Sequence, residues 1–294
     1  MSYKIGNVEF NNPFMNASGC WSMNEEQITE LYSNSELSGI VSKTFTLFSK
    51  QGNPEPNYYH DVENNIHYNS KGLPNYGYNY YRDLSIRYKE KPFILSMAYD
   101  FETVNMVTIL KDYDKWCKNE TLVEINMSCP NVDKNIPGYN IKIIESLINM
   151  LPTSVEKIKI GLKLPPYFVI PDMKEIALIL NKSNVIKYIV LSNSIPNVMP
   201  LVNGQKYLST IYGGMSGKLN KQIALSNVHI FSQYLKKDIA IVGCGGIDTV
   251  EDVDDYLNNG ASFVQLASCF YEEHADRLNI DKINDLVNLW KNPK

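Results

Sequence analysis

Short apolar runs alternate along this chain with polar stretches of helical periodicity. Phe93-Ile94-Leu95-Ser96-Met97, Leu122–Asn126, Ile158–Lys163, Tyr188–Asn193, Ile239–Gly243 and Phe263–Leu266 are too short for helices, and each reads as a buried strand. Asn12–Gly19 and Gly39–Lys43 add two earlier strands, the first running into small residues, the second ending on a lysine. Helical periodicity falls between them, near 101–117, 141–150, 173–181, 221–235 and 250–258, the last closed by Gly260. Asn24, with Gln27 three residues later, predicts a capping box that opens a helix to about Leu37. Residues 3–10 read as a strand or hairpin arm ahead of the main domain. Residues 44–78, rich in Asn, Pro, Gly and Tyr, read as a long irregular segment, and a loop of that length in a compact domain is expected to be functional.

Eight strands alternating with helices predict an α/β fold, a parallel (β/α)8 TIM barrel. A doubly wound sheet would want a Gly-x-Gly-x-x-Gly turn after an early strand, and the chain has none. No composition shift marks a linker, so residues 1–294 are expected to form a single domain.

Composition narrows the function. The net charge of -4 and a pI near 5.7 argue against a nucleic-acid or anionic-membrane surface. There is no apolar run of about 18 residues and no signal-peptide pattern at the start, so a cytoplasmic protein is expected. Five widely spaced cysteines without a Cys-x-x-Cys fit a reducing compartment and neither a disulfide framework nor a zinc site.

In such barrels the chemistry sits where the strands end, on the C-terminal face. Ala17-Ser18-Gly19, Lys43, Asn126–Asn131, Lys163, Asn193-Ser194, Gly243–Gly246 and Ala267-Ser268 should therefore converge. Glycines after the seventh strand, beside Ala267-Ser268 after the eighth, suit a phosphate, because backbone N–H groups there approach an anion closely; a plain tight turn is the alternative. Lys43 and Lys163 are either solvated rim residues or partners for an electron-accepting ring system. Asn126, Asn131 and Asn193 offer paired donors and acceptors that match a ring of alternating N–H and C=O groups, or else they form turns. Cys129 is the titratable group of the Asn126–Asn131 motif. With no histidine at a strand end to activate a nucleophile, a general base is favoured over one.

Several motifs resemble those of dihydroorotate dehydrogenases, specifically the soluble class 1A enzymes. They are Asn12–Gly19, Gly52-Asn53-Pro54, Asn69-Ser70 with Gly72-Leu73-Pro74-Asn75, Asn126–Asn131, Lys163-Leu164-Pro165-Pro166-Tyr167-Phe168, Asn193-Ser194-Ile195 and Gly245-Gly246-Ile247. The resemblance implies an FMN enzyme of pyrimidine synthesis, a homodimer, that oxidises (S)-dihydroorotate to orotate and passes electrons to fumarate, giving succinate. It implies Cys129 as the base. Asn69, Asn126, Asn131, Asn193 and Ser194 would hold the pyrimidine, and backbone near Gly72-Leu73 its carboxylate. Lys43 would lie between flavin and substrate, among the Ala17-Ser18-Gly19 and Asn126 contacts to the cofactor. Lys163 would face the flavin's pyrimidine edge. Gly213-Gly214, Gly245-Gly246 and Ala267-Ser268 would cradle its phosphate, and the segment after Cys129 would be a lid.

The chain departs from that pattern at Lys71, where the family typically has methionine, at Ala267-Ser268 in place of Gly-Thr, and over Ser216–Asn220. Two other readings are open at this level. One is a different flavin barrel acting on pyrimidines; the other is a flavin-binding pseudoenzyme with a regulatory role.

Overall fold

The computed structural model describes residues 3–99, 103–128, 135–271 and 277–293. Cys129 and Asn131 lie outside the described residues. The chain opens with β1 (Tyr3–Ile5) and β2 (Val8–Phe10), an antiparallel hairpin. Next come β3 (Phe14–Asn16), α1 (Glu25–Asn34) and β4 (Ile40–Val41). A second hairpin, β5 (Tyr58–Asp61) and β6 (Ile66–Asn69), precedes α2 (Tyr78–Arg87). The regular alternation then runs β7 (Phe93–Ala98), α3 (Thr103–Trp116), β8 (Thr121–Asn126), α4 (Ile141–Met150), β9 (Ile158–Lys163), α5 (Ile170–Asn181) and β10 (Ile186–Leu191). An excursion of β11 (Ile195–Val198), β12 (Leu201–Val202), β13 (Gln205–Lys206) and β14 (Gly213–Gly217) follows. The chain resumes with α6 (Asn220–Tyr234), β15 (Ala240–Cys244), α7 (Val250–Asn258), β16 (Phe263–Leu266) and α8 (Ile280–Lys291).

Eight parallel strands stand in the order β3-β16-β15-β10-β9-β8-β7-β4, and a parallel bridge between Met15 and Gly39 closes the ring. This is the predicted (β/α)8 barrel. Its strands are apolar on both faces because one side chain set fills the barrel and the other packs under helices. The lower interior holds Met15, Val41, Ile94, Leu122, Tyr188, Val242 and Phe263, and the β1–β2 hairpin plugs that end with Ile5, Val8 and Phe10. The barrel is therefore filled from below and its polar residues lie towards the strand C-termini.

The 44–78 segment departs from expectation. It contains β5, β6 and the start of α2, and β5 and β6 join β14 and β11 in a four-stranded antiparallel sheet, order β11-β14-β6-β5. This sheet forms a roof. Register fixes which residues share its faces: Asn69 stands opposite Tyr58 and Gly214, and His67 opposite His60 and Ser216. Directly opposed residues, and those two apart on one strand, point the same way. Tyr58, His60, His67 and Asn69 thus share one side.

Two smaller differences have local causes. α1 stops at Asn34, where the backbone turns extended at Ser35 and the Ser35 hydroxyl binds the Leu31 carbonyl. Asn24 caps the helix by accepting from Gln27 N (2.9 Å), but Gln27 Oε1 accepts from Met23 N (3.0 Å), one residue before the cap, so the box is not reciprocal. Gly260 follows α7 at φ 111°, the left-handed position that its sequence context predicts.

Candidate functional site

A chain of polar side chains crosses the upper barrel. Ser18 Oγ and Thr44 Oγ1 are 2.7 Å apart, and Thr44 Oγ1 and Ser96 Oγ 2.9 Å apart. Ser96 Oγ donates to Glu124 Oε1 (3.2 Å), and Gln265 Nε2 donates to Glu124 Oε2 (2.7 Å). Lys163 Nζ completes the chain by donating to Gln265 Oε1 (3.0 Å). Thr44, Ser96, Glu124, Lys163 and Gln265 are all buried. The strands enforce this: Ser96 on β7 is in register with Glu124 on β8, so both side chains enter the barrel at one level. A buried lysine and a buried carboxyl joined through an amide satisfy one another, and removing either would leave the other uncompensated.

Above this chain lie the amides. Asn126, at the end of β8, donates to Thr44 Oγ1 (3.3 Å) and its Oδ1 accepts from Ser128 N (3.0 Å) and Asn193 Nδ2 (3.3 Å). Asn193 in turn accepts from Ser194 N (2.8 Å). The structure thus brings together Asn126, Asn193, Ser194 and Lys163 from three strand ends. Lys43 lies across the mouth against Gly19: a Cβ placed at Gly19, where φ is 87°, would stand 2.9 Å from Lys43 Nζ. Only glycine fits that approach.

The corner between β15 and β16 has the features of an anion site. The N–H groups of Gly245, Gly246, Ala267 and Ser268 donate to no acceptor among the described residues. Gly246 adopts φ 61°, and a Cβ there would sit 2.8 Å from the Gly217 carbonyl. Gly217, at the end of β14, is therefore the roof glycine that borders this corner. Gly213 and Gly214 are placed elsewhere: their added Cβ atoms would meet the Asn69 carbonyl at 2.6 Å and Ser194 Oγ at 2.3 Å. They keep the roof close to the amide cluster. The glycine-rich run Gly213–Gly217 signals both contacts, but only the sheet register tells which glycine faces which.

Asn69 hangs from the roof on the Tyr58 side, and its side chain forms no hydrogen bond among the described residues. Next to it, Tyr58 OH meets His67 Nδ1 (2.6 Å), and His67 stacks on His60 at 3.9 Å. Burial holds His67 down to about 3, so it is a neutral imidazole at ordinary pH.

The described residues on either side of positions 129–134 are held in place. Ser128 N is tied to Asn126, and beyond the undescribed residues Gly138 N donates to the Met127 carbonyl (2.8 Å). The Lys163–Phe168 motif braces the same turn, with Tyr167 OH donating to the Gly138 carbonyl (2.6 Å) and Tyr139 OH to the Pro166 carbonyl (2.9 Å). The remaining cysteines are unsuited to base chemistry. Burial pushes Cys20 up to about 12 and Cys117 up to about 11, and raises Cys244 and Cys269.

Residues 1–286 match the family model described as dihydroorotate dehydrogenase. The chain belongs to the dihydroorotate dehydrogenase family. It is similar to dihydroorotate dehydrogenase A (fumarate) of Lactococcus lactis, at 35% identity over 280 residues, 92% of this chain and 88% of that one. A Streptococcus pyogenes serotype M3 relative is 36% identical over 281 residues, with 92% and 87% covered. The fold is similar to that of the Eimeria tenella DHODH solved in complex with ferulenol, with a TM-score of 0.74, 15% identity, and 97% of this chain and 83% of that chain covered. No helix among the described residues is long and apolar enough to cross a membrane.

Members of this family are flavin-dependent, and the donors at the mouth suit such a group. The uncommitted N–H groups at Gly245, Gly246, Ala267 and Ser268 fit a phosphate, and the Lys163–Gln265 pair and Asn126 fit the polar edge of a ring.

Proposed function

We propose that this protein, as a single FMN-binding barrel unit and a homodimer of the class 1A type, oxidises (S)-dihydroorotate to orotate with fumarate as electron acceptor. One observation carries the reading beyond family membership: Asn126 and Asn193 meet at 3.3 Å beside the buried Lys163, and Asn69 Nδ2 and Ser194 Oγ, from roof and barrel, both lie within 3.8 Å of a Cβ placed on Gly214. Three neutral amides around one opening recognise a planar ring with alternating donors and acceptors, and they exchange no protons with it. Asn131 and Ser194 extend the same recognition.

Cys129, which directly follows Ser128, removes the C5 proton. FMN, if held by Lys43, Lys163 and the open amides of Gly245, Gly246, Ala267 and Ser268, would supply the two-electron chemistry that links dihydroorotate oxidation to fumarate reduction. Lys43, packed on Gly19 with Ala17 and Ser18 beside it in sequence, would contact both ring and substrate. Lys163, held by Gln265, would hold the ring's pyrimidine edge. Gly245, Gly246, Ala267 and Ser268 would hold the phosphate, with Gly217 bordering them, while Gly213 and Gly214 set the roof against Asn69 and Ser194.

The test is anaerobic mixing of the purified yellow protein with dihydroorotate. The flavin absorbance bleaches at the rate of turnover, and Cys129→Ala lowers that rate by about 10²–10⁴-fold, the usual contribution of a general base. A flavin that stays oxidised in the wild type would mark a pseudoenzyme instead.

A further inference from the structure

A half-buried ammonium without an ion-pair partner among the described residues lies in the turn that follows Asn69. Lys71 Nζ lies 5.4 Å from the centroid of the Tyr58 ring, and no hydrogen bond or ion pair engages it among the described residues. Burial lowers its pKa, opposed by the more distant Cys20 and Glu55. A cation taken partly out of water with an aromatic face beside it and no hydrogen bond or ion pair is under-compensated, and an anion beside it would be held firmly.

The backbone that follows Lys71 supplies the other half of a receptor. Gly72 and Leu73 both adopt left-handed conformations, φ 71° and 61°. The carbonyls of this turn are consumed. Asn53 N donates to Lys71 O (2.9 Å), Asn53 Nδ2 to Ser70 O (2.7 Å) and Asn75 Nδ2 to Leu73 O (2.9 Å). The N–H groups of Lys71, Gly72 and Leu73 donate to nothing among the described residues. Consecutive amides left open in this way form a concave donor set for a carboxylate or another small anion. Glycine is required at 72, since a Cβ would stand 2.5 Å from Asn53 Cγ.

We propose that Lys71 is a specificity-determining residue, its ammonium joining those amides to bind the carboxylate that dihydroorotate, orotate and fumarate share. The proposal rests on the function given above. Beside the open amides the ammonium adds a charge-assisted contact, and it favours the anionic ligands over uncharged pyrimidines of the same shape. It also makes their affinity fall as salt rises, because the ammonium is only half-buried.

The experiment is titration of orotate, fumarate and uracil into the oxidised FMN-loaded protein, followed by the flavin spectrum directly or by competition. Wild type, Lys71→Met and Lys71→Arg are compared, with FMN content and melting temperature as checks on folding. Lys71→Met is expected to weaken orotate and fumarate about tenfold, ~1.4 kcal/mol, while uracil, which has no carboxylate, is unchanged and Lys71→Arg recovers most of the loss. Equal orotate affinity in wild type and Lys71→Met overturns the assignment, and so does an equal weakening of orotate and uracil, which would make Lys71 a packing residue. Wild-type protein that binds neither orotate nor fumarate overturns the function reading itself, and this proposal with it.

Discussion

Inside the barrel, Ser18, Thr44, Ser96, Glu124, Gln265 and Lys163 bind one another at 2.7 to 3.2 Å, and the last five are buried. In the roof, the Asn69 side chain, the Lys71 ammonium and the N–H groups of Lys71, Gly72 and Leu73 have no hydrogen-bonding partner among the described residues, and these residues remain partly accessible, Leu73 excepted. The barrel interior is closed upon itself and the roof is open towards a ligand. A group that must hold a fixed position, such as Lys163, gains from partners that are always present. A group that must recognise a ligand gains from having none until the ligand arrives.

The largest effect follows from breaking the closed side. Glu124→Leu removes both carboxylate acceptors from the buried chain, leaving the Gln265 amide N–H without an acceptor, Ser96 with Thr44 alone, and Lys163 without the buried carboxyl that faces it through Gln265. Loss of one partner from a buried charged set costs about 3–5 kcal/mol, read as a fall in the urea midpoint. FMN retention should drop as well, because Lys163 loses its support. A Glu124→Leu protein as stable as wild type would mean that the interior chain is not held as drawn.

A smaller effect separates the two regions by pH. His67 sits on the roof between Tyr58 and His60 and titrates near 3 rather than 6.5 because it is buried. Above pH 6.5 the imidazole is neutral in both folded and unfolded chains, and it contributes no pH dependence. As pH falls from 6.5 towards 3 the unfolded chain takes up a proton that the folded chain refuses. Stability therefore declines by up to ~1.4 kcal/mol per pH unit from this residue. His67→Gln should flatten that decline when urea midpoints are compared at about pH 7 and about pH 5. An unchanged slope would place the acid sensitivity elsewhere.

The same contrast explains what could be read in the sequence. The barrel was legible because its strands are continuous apolar runs such as Ile158–Lys163 and Phe263–Leu266, buried on both faces. Lys43, Lys163, Asn126 and Asn193 were legible because they stand where those runs stop. The roof was not. Tyr58-Tyr59-His60-Asp61 and Ile66-His67-Tyr68-Asn69 are half-polar, and β6 pairs on one side with β14, far along the chain. No local pattern announces such a partner, although Asn64-Asn65 between two β-prone runs is a hairpin signal. The Glu124–Gln265 contact was hidden for the same reason: each residue alone interrupts an apolar strand, and only the closed barrel brings the two together.

The smallest effect tests whether the roof is as loosely tied as its open donors imply. Asn53 is the residue that shapes the turn after Asn69. Its side chain holds the Ser70 carbonyl at 2.7 Å, its own N–H holds Lys71 O at 2.9 Å, and its Oδ1 would lie 2.6 Å from a Cβ on Gly72. Asn53→Ala keeps the backbone contact and deletes one side-chain hydrogen bond that is only partly buried, so the stability loss should be about 0.5–1.5 kcal/mol, well below that of Glu124→Leu. Its effect on ligands should be disproportionate, because a looser turn no longer presents the Lys71, Gly72 and Leu73 amides as one set, and orotate should bind several-fold more weakly while FMN is retained. If Asn53→Ala instead destabilised the protein as much as Glu124→Leu, the roof would be part of the barrel's closed framework, and the distinction between a self-satisfied interior and a ligand-completed roof would fail.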